Sequence, residues 1–305
     1  MRKLKVMLLS LCALIILTAS ALAAESDWAD TGYLTVEGMG VMPNNSINAN
    51  QAKMLARRAA ITDAYRQAAE QIKGVNVDGE TTVENLQVTS DIVRTRTSAV
   101  ITGARISDVK FIDGGCIVTL KVPMFGVSNS LASAVFDNNT TKESFPKPVE
   151  SVAPSTPKGY QSYGDYNSGS YNGSTSTKPI YSDKGSSAAS APTGRAIGSY
   201  TGLIVDCRGL GLKPVMSPVI KNAGGSAIYG YKNLDYDAIV NSGMAGYSRD
   251  INNASRAGNN PLIVKAVSLD NNNANPVLST ADANRVLIEN GATHFLDGAK
   301  VVFVR

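Results

Sequence analysis

Three strings and one lone histidine in this sequence carry the residue types of a chemical site. Gly209-Leu210-Gly211 follows an apolar run, as a phosphate-cradling loop does. Such a loop must open a helix whose free N–H groups meet the phosphate. Here Lys213-Pro214 and Pro218 follow instead, and the third glycine is missing, which argues against a nucleotide. Ser155-Thr156-Pro157-Lys158 has the Ser-x-x-Lys spacing of a lysine-activated serine, a device that needs a rigid helix. Prolines flank this copy. His294 is the single histidine, so neither a Ser-His-Asp arrangement nor a histidine-rich metal site can be built on it. It reads as a surface or packing residue in a turn before Phe295. Asp270-Asn271-Asn272-Asn273 resembles the start of a calcium loop, but lacks its glycine at position six and its closing glutamate. No catalytic, cofactor-binding or metal-binding residue is assigned.

The remaining reactive types are two cysteines and a set of aromatics. Cys116 and Cys207 each share a strand face with Val and Leu, which favours buried free thiols, although an exported chain could also pair them. Tyr160, Tyr163, Tyr166, Tyr171 and Tyr181 alternate with Gly, Ser and Asn. With Trp28 they offer stacking surfaces for a glycan, while their plainer reading is a solvated spacer.

The elements that would position these residues begin after a leader. Arg2, Lys3 and Lys5 precede an apolar run from Val6 to Leu17, and Ala21-Leu22-Ala23 has the small-x-small cleavage pattern. Residues 1–23 read as a signal peptide cut after Ala23, leaving no stable transmembrane anchor. Cys12 lies inside the apolar run behind Leu11, so no lipid-accepting cysteine is expected. The formal charge of +4 includes those three leader charges, so the mature chain is near +1 (4 − 3). A near-neutral chain has no electrostatic case for nucleic acid.

Composition divides the rest in three. Residues 24–136 and 198–305 are each of domain size, and residues 137–197, rich in Ser, Pro, Gly and Tyr, predict a disordered linker. In the first domain a strand spans Gly32–Gly38, broken by Gly38, Gly40 and Pro43. A helix follows from about Asn50 to Lys73, capped by Asn48 or Asn50 and ended by Gly74. Its core face carries Ala52, Leu55, Ala59, Ala60, Ala64, Ala68 and Ile72, with Ala56 extending the Ala60–Ala64 row. Thr81–Val88 reads as a strand, and Asp91 caps a helix through Ile101. A hairpin turns at Asp113-Gly114, with Cys116, Val118, Leu120 and Val122 on one face.

In the second domain Leu203–Cys207 is a strand. A Gly224-Gly225 hairpin joins Val215–Ile220 to Ala227–Tyr229, its first arm placed at an edge by Pro214 and Pro218. Asp237–Ala257 reads as a loosened helix, Leu262–Val267 as a strand and Asp270–Pro276 as a loop. A helix over Thr280–Asn290 and a strand over Lys300–Val304 close the domain. The expected class is α+β, with helices packed on an antiparallel or mixed sheet in each of two small domains.

Trp28, Thr31-Gly32-Tyr33, Gly38-x-Gly40 and the helix Ala52–Arg66 closing on Ile72-Lys73-Gly74-Val75 resemble the LPP-twenty (twenty-kilodalton) envelope lipoprotein family. The same region is similar to the N-terminal domain of flagellar assembly protein T. The resemblance implies an exported, non-enzymatic structural, assembly or adaptor role, periplasmic or secreted, with envelope proteins as partners, flagellar or outer-membrane assembly components among them. It transfers no catalytic residue. Glycan or peptidoglycan binding is the alternative, and a hydrolase built on paired carboxylates is a third class.

Overall fold

The computed structural model of the chain describes residues 27–138, 141–149 and 195–305. The expected leader over residues 1–23 lies outside them, as does most of the expected linker.

The N-terminal unit runs α1 (Asp27–Thr31), β1 (Tyr33–Val41), α2 (Ala49–Lys73), α3 (Val83–Thr89), α4 (Asp91–Thr102), β2 (Arg105–Ile112), β3 (Gly115–Pro123) and α5 (Leu131–Val135). Its strands form an antiparallel sheet in the order β1-β3-β2. Asn48 starts α2 by accepting from the Gln51 amide at 2.9 Å, and Gln51 reaches back to the Ile47 amide at 2.7 Å. This reciprocal pair satisfies two otherwise orphaned donors. Gly74 ends the helix, its N–H bonded to the carbonyls of Gln71 and Ile72.

The buried residues of α2 are Ala52, Ala56, Ala60, Ala64, Ala68 and Ile72, one at every fourth position. Leu55 and Ala59 were expected on that face but lie outside it. The contact is a single row because the helix backbone itself lies against β1. A Cβ on Gly38 would sit 2.2 Å from both the Ala60 oxygen and the Ala64 nitrogen, and one on Gly40 would sit 2.0 Å from the Ala56 oxygen. The two glycines therefore do not break the strand, which continues to Val41.

Thr81–Val88 is a further correction. Thr82 caps α3 through the Asn85 amide, so all but the first two residues of the expected strand are helical. Likewise Ser90, not Asp91, caps α4.

The C-terminal unit contains β4 (Gly202–Asp206), β5 (Ile220–Asn222), β6 (Ala227–Tyr229), α6 (Tyr236–Ser242), β7 (Gly246–Ser248), β8 (Pro261–Asp270), β9 (Asn275–Leu278), α7 (Thr280–Thr293) and β10 (Val301–Val304). These strands form a seven-stranded mixed sheet in the order β6-β5-β9-β8-β4-β10-β7. Strands β8, β4, β10 and β7 are parallel neighbours. Every residue of β4 and β10 is buried, as expected of strands covered on both faces.

Three expectations fail in this unit. The helix over Asp237–Ala257 stops at Ser242, because Gly243 takes a positive φ of 72° and the chain turns into β7. The first arm of the hairpin, β5, is an inner strand paired with β6 and β9, and the edge strand is β6. Strand β9 begins inside the segment read as an asparagine-rich loop.

Residues 141–149 correct the linker reading, since they lie against the C-terminal unit. The Glu143 amide donates to the Lys232 carbonyl at 2.7 Å, and Phe145 stacks on Tyr229 with centroids 6.3 Å apart. Asn284 of α7 holds Val149 by both its N–H and its carbonyl, each at 2.8 Å. Farther along α7, Glu289 accepts from the amides of Ile197 and Gly198 at 2.8 and 2.9 Å. Chain that would otherwise stay solvated is fixed by one aromatic contact and by side chains that satisfy its backbone groups.

Candidate functional site

The two units meet along a buried seam. Trp28 of α1 packs between Phe125 and Tyr247, with ring centroids 6.5 and 6.3 Å away. Tyr247 in turn bonds both the N–H and the carbonyl of Val215. Backbone bonds cross the seam as well: Met216 N–H to the Asn76 carbonyl at 3.0 Å, Ser217 N–H to Val77 at 2.7 Å, and Gly126 N–H to Val240 at 2.7 Å. At the rim Asp30 faces Arg305 at 3.3 Å and Arg249 at 3.7 Å. One contiguous hydrophobic core includes residues of both units. Trp28 is 5% exposed, so its ring is committed to the seam rather than offered to a sugar.

The candidate strings resolve as follows. Gly209 and Gly211 both take positive φ in a turn with no helix behind it. Their glycines serve the turn, not a phosphate. Asp270 is held by Lys221 at 2.6 Å, and this ion pair, with the Asn271 N–H, keeps its carboxyl below the usual range. Asn271, Asn272 and Asn273 all take left-handed backbone, a conformation asparagine tolerates better than most residues. The Asn272 amide donates to the Gly79 carbonyl at 2.8 Å, so this string is part of the seam. His294 sits at the left-handed end of α7, exposed, with Nδ1 at 3.5 Å from Asp297. Cys116 and Cys207 are both buried and free. Burial, with Asp206 beside it, pushes the Cys207 thiol up to about 12, so it is an inert core group. Ser155–Lys158 and the tyrosines from Tyr160 to Tyr181 lie outside the described residues.

Two of the hollows along the C-terminal unit bear on a site. One, of about 460 Å³, opens at the seam between Asn76, Asp78, Lys213 and Asn273. The other, of about 620 Å³, is a groove floored by Ile204, Ile251, Ala254 and Ile263, with Asn252, Asn253 and Asn259 along it. There Ile204, Val302 and Val304 of the sheet form a small core with Ala254 and Ala257. Asp206, at the carboxyl end of β4, fixes Arg208 by two hydrogen bonds of 2.7 and 2.8 Å. Those bonds lower the Asp206 pKa. Among the described residues no group of three or more His, Cys, Asp or Glu could hold a metal ion, and no helix is long and apolar enough to cross a membrane.

The LPP20 lipoprotein family model matches residues 43–122. Those residues form an LPP20 lipoprotein domain. Residues 202–305 match the second domain of Treponema pallidum Tp0624. No curated protein matches the chain. The two domains together suggest an envelope protein.

Within the LPP20 domain the physical content of the alanine-rich helix is close backbone approach to β1. Asp63 of that helix does a second job that sequence reasoning missed. Its carboxylate accepts the Met39 N–H at 3.0 Å, capping an amide of the edge strand. This bond first, then those from Arg66 and Gln67, holds its pKa down to about 2. An edge amide satisfied from within is closed to a foreign strand. The other edge, β2, is irregular at Ser107 and carries Asp108 and Lys110, which also discourages pairing. Asn284 and Glu289 were missed too. They sit in a helix read only for its apolar pattern, and nothing local in the sequence marks a side chain that binds distant backbone.

Proposed function

We propose that the chain is a non-enzymatic structural or adaptor protein of the bacterial cell envelope, periplasmic or secreted, that works by binding other envelope proteins. The observation that carries this reading is the seam. Main-chain bonds, a buried tryptophan and a shared core lock the LPP20 domain onto the Tp0624-like domain. Two domains held in this way present their outer surfaces at a fixed separation and angle, which is what an adaptor needs and a flexible tether does not supply. One such surface is the uncovered face of the three-stranded sheet, with Thr35, Glu37 and Lys121 along it. The other is the groove over Ile204 and Ile263. Flagellar or outer-membrane assembly components are the expected class of partner. The glycan alternative loses Trp28 to the seam, and its tyrosines lie outside the described residues.

Photo-reactive side chains at Glu37 and at Asn252, both exposed, test this in intact envelopes. Discrete protein adducts from each position, absent from the same probe at Glu70, are expected. Adducts no stronger than the Glu70 control at both positions would overturn the adaptor reading.

A further inference from the structure

The LPP20 domain has one end against the seam and one end away from it. The seam end gathers the start of β1, the close of α2 and the residues after β3, since Trp28, Asn76 and Gly126 all touch the C-terminal unit. The far end gathers the close of β1, the start of α2 and the β2–β3 turn, where Val41 and Ile112 both pair with Gly115. At about 1.5 Å per residue, the 25 residues of α2 separate the two ends by roughly 37 Å.

Large apolar side chains crowd that far end. Val41 is 79% exposed and Ile47 87%, and Met39, Met54, Phe111 and Ile112 are exposed beside them. A patch of this kind on a folded surface marks an interaction site. Its charge is predominantly basic. Lys53 lies over the Phe111 ring at 6.0 Å, and Arg57 and Lys110 are exposed near it, against the carboxylates of Asp113 at the turn and of Asp63, which accepts the Met39 N–H and is itself paired with Arg66.

We propose that this end is a membrane-touching tip. Met39, Val41, Ile47 and the Phe111-Ile112 turn enter the interfacial layer of an anionic lipid surface, and Lys53, Arg57 and Lys110 meet its headgroups. Two features favour lipid over other occupants. The most exposed aliphatics stand on a strand end and a connecting loop, so they protrude, and a fluid interface accepts protruding side chains without a matching pocket. A second copy of the chain would bring the same basic excess against itself, which opposes tip-to-tip docking. Apolar insertion combined with basic side chains is the usual chemistry of attachment to anionic lipid. This goes beyond the adaptor reading and does not depend on it: Met39 and Val41 continue the sheet face of Thr35 and Glu37, but binding to lipid vesicles is read with no protein partner present.

Flotation of the purified chain with vesicles tests the tip. It should float with phosphatidylglycerol–phosphatidylethanolamine vesicles and weakly with phosphatidylcholine alone. The Val41→Asn/Ile47→Asn pair alters only exposed side chains, and affinity should fall by about tenfold or more. Lys53→Gln/Lys110→Gln should remove most of the preference for anionic lipid, while Val127→Ser, near the seam, should float as the parent does. Failure of the parent chain to float with anionic vesicles overturns the proposal. So does undiminished flotation of the Val41→Asn/Ile47→Asn pair, or a parent dimer in sedimentation that this pair converts to monomer. Circular dichroism melts of every variant separate loss of binding from loss of fold.

Discussion

Gly38→Ala adds one methyl group where β1 lies directly against the backbone of α2. Its Cβ would lie 2.2 Å from the Ala60 oxygen and the Ala64 nitrogen and 2.7 Å from the Ala64 Cα, whereas real Cβ contacts essentially never fall under 3.0 Å. The backbones must therefore part by about 0.8 Å (3.0 − 2.2). All three colliding atoms are main chain, so no rotamer change relieves them. Parting α2 from β1 opens a gap along the Ala56–Ala68 row, and dispersion falls steeply with such gaps. Overpacking of this kind costs about 1–3 kcal/mol, occasionally more, and this site belongs at or above the top of that range. Gly32→Ala is the comparator. Gly32 has φ of 76° but nothing within 4 Å of a built Cβ, so it reports conformational strain alone, about 1–2 kcal/mol. Urea unfolding of the full chain, read as midpoint and slope, measures both. If Gly38→Ala stays within about 0.5 kcal/mol of the parent, the close approach is not what those glycines are for, and the account of the alanine row fails with it.

The other outcomes follow from single groups. Asp63 has its pKa lowered from 3.8 to about 2, so its contribution is fully present above the unfolded value and is lost as pH falls through the folded one. Acid titration of stability should therefore show Asp63→Asn less sensitive than the parent between about pH 4 and 2, and identical slopes in that window would refute the Met39 cap. Glu289 is fully buried, paired with Arg285 at 2.7 Å and bonded to two amides. Glu289→Ala strands those partners and should cost about 3–5 kcal/mol in denaturant, so a loss under about 1 kcal/mol would show that residues 197–198 do not depend on it. Replacing residues 150–194 with a short Gly/Ser bridge should leave one cooperative transition near the parent melting temperature, because the described anchors on both sides remain. Two separate calorimetric transitions would mean that the seam does not couple the units.

The parts of the fold legible in the sequence were those set by local periodicity. Helix α2, the Asp113-Gly114 hairpin, β4, α7 and β10 follow from apolar spacing, caps and turn residues. The misreadings have one cause, which is that tertiary contact reassigns a local signal. Gly38 and Gly40 look like strand breakers until the helix that needs them is in place. Gly243 stops a helix whose apolar pattern continues, since Tyr247 is needed as a strand residue against Trp28. Leu55 reads as core on a helix with a broad apolar face, but backbone contact narrows that face of α2 to one row. The seam was invisible for a related reason. Trp28, Tyr247, Asn76 and Met216 are far apart in sequence, and no spacing announces that they meet.

A connecting segment sets the distance between domains only when nothing else does. Here the chain leaves the C-terminal unit at Val149, bonded to Asn284, and rejoins it at Ile197, bonded to Glu289. Both anchors are on α7, five positions apart (289 − 284), which is about 7.5 Å along the helix axis. Val149 and Ile197 are therefore both held by the same helix of the C-terminal unit. The seam fixes the orientation of the two units, while the closure entropy of the excursion grows only logarithmically, about 0.6 kcal/mol for a doubling of its length. Length and composition between residues 150 and 194 are thereby decoupled from the geometry of the body. A seam substitution such as Trp28→Ala removes one ring and should cost about 3–5 kcal/mol, more than doubling the segment would. The contact that joins the domains is made by residues that no linker rule would select.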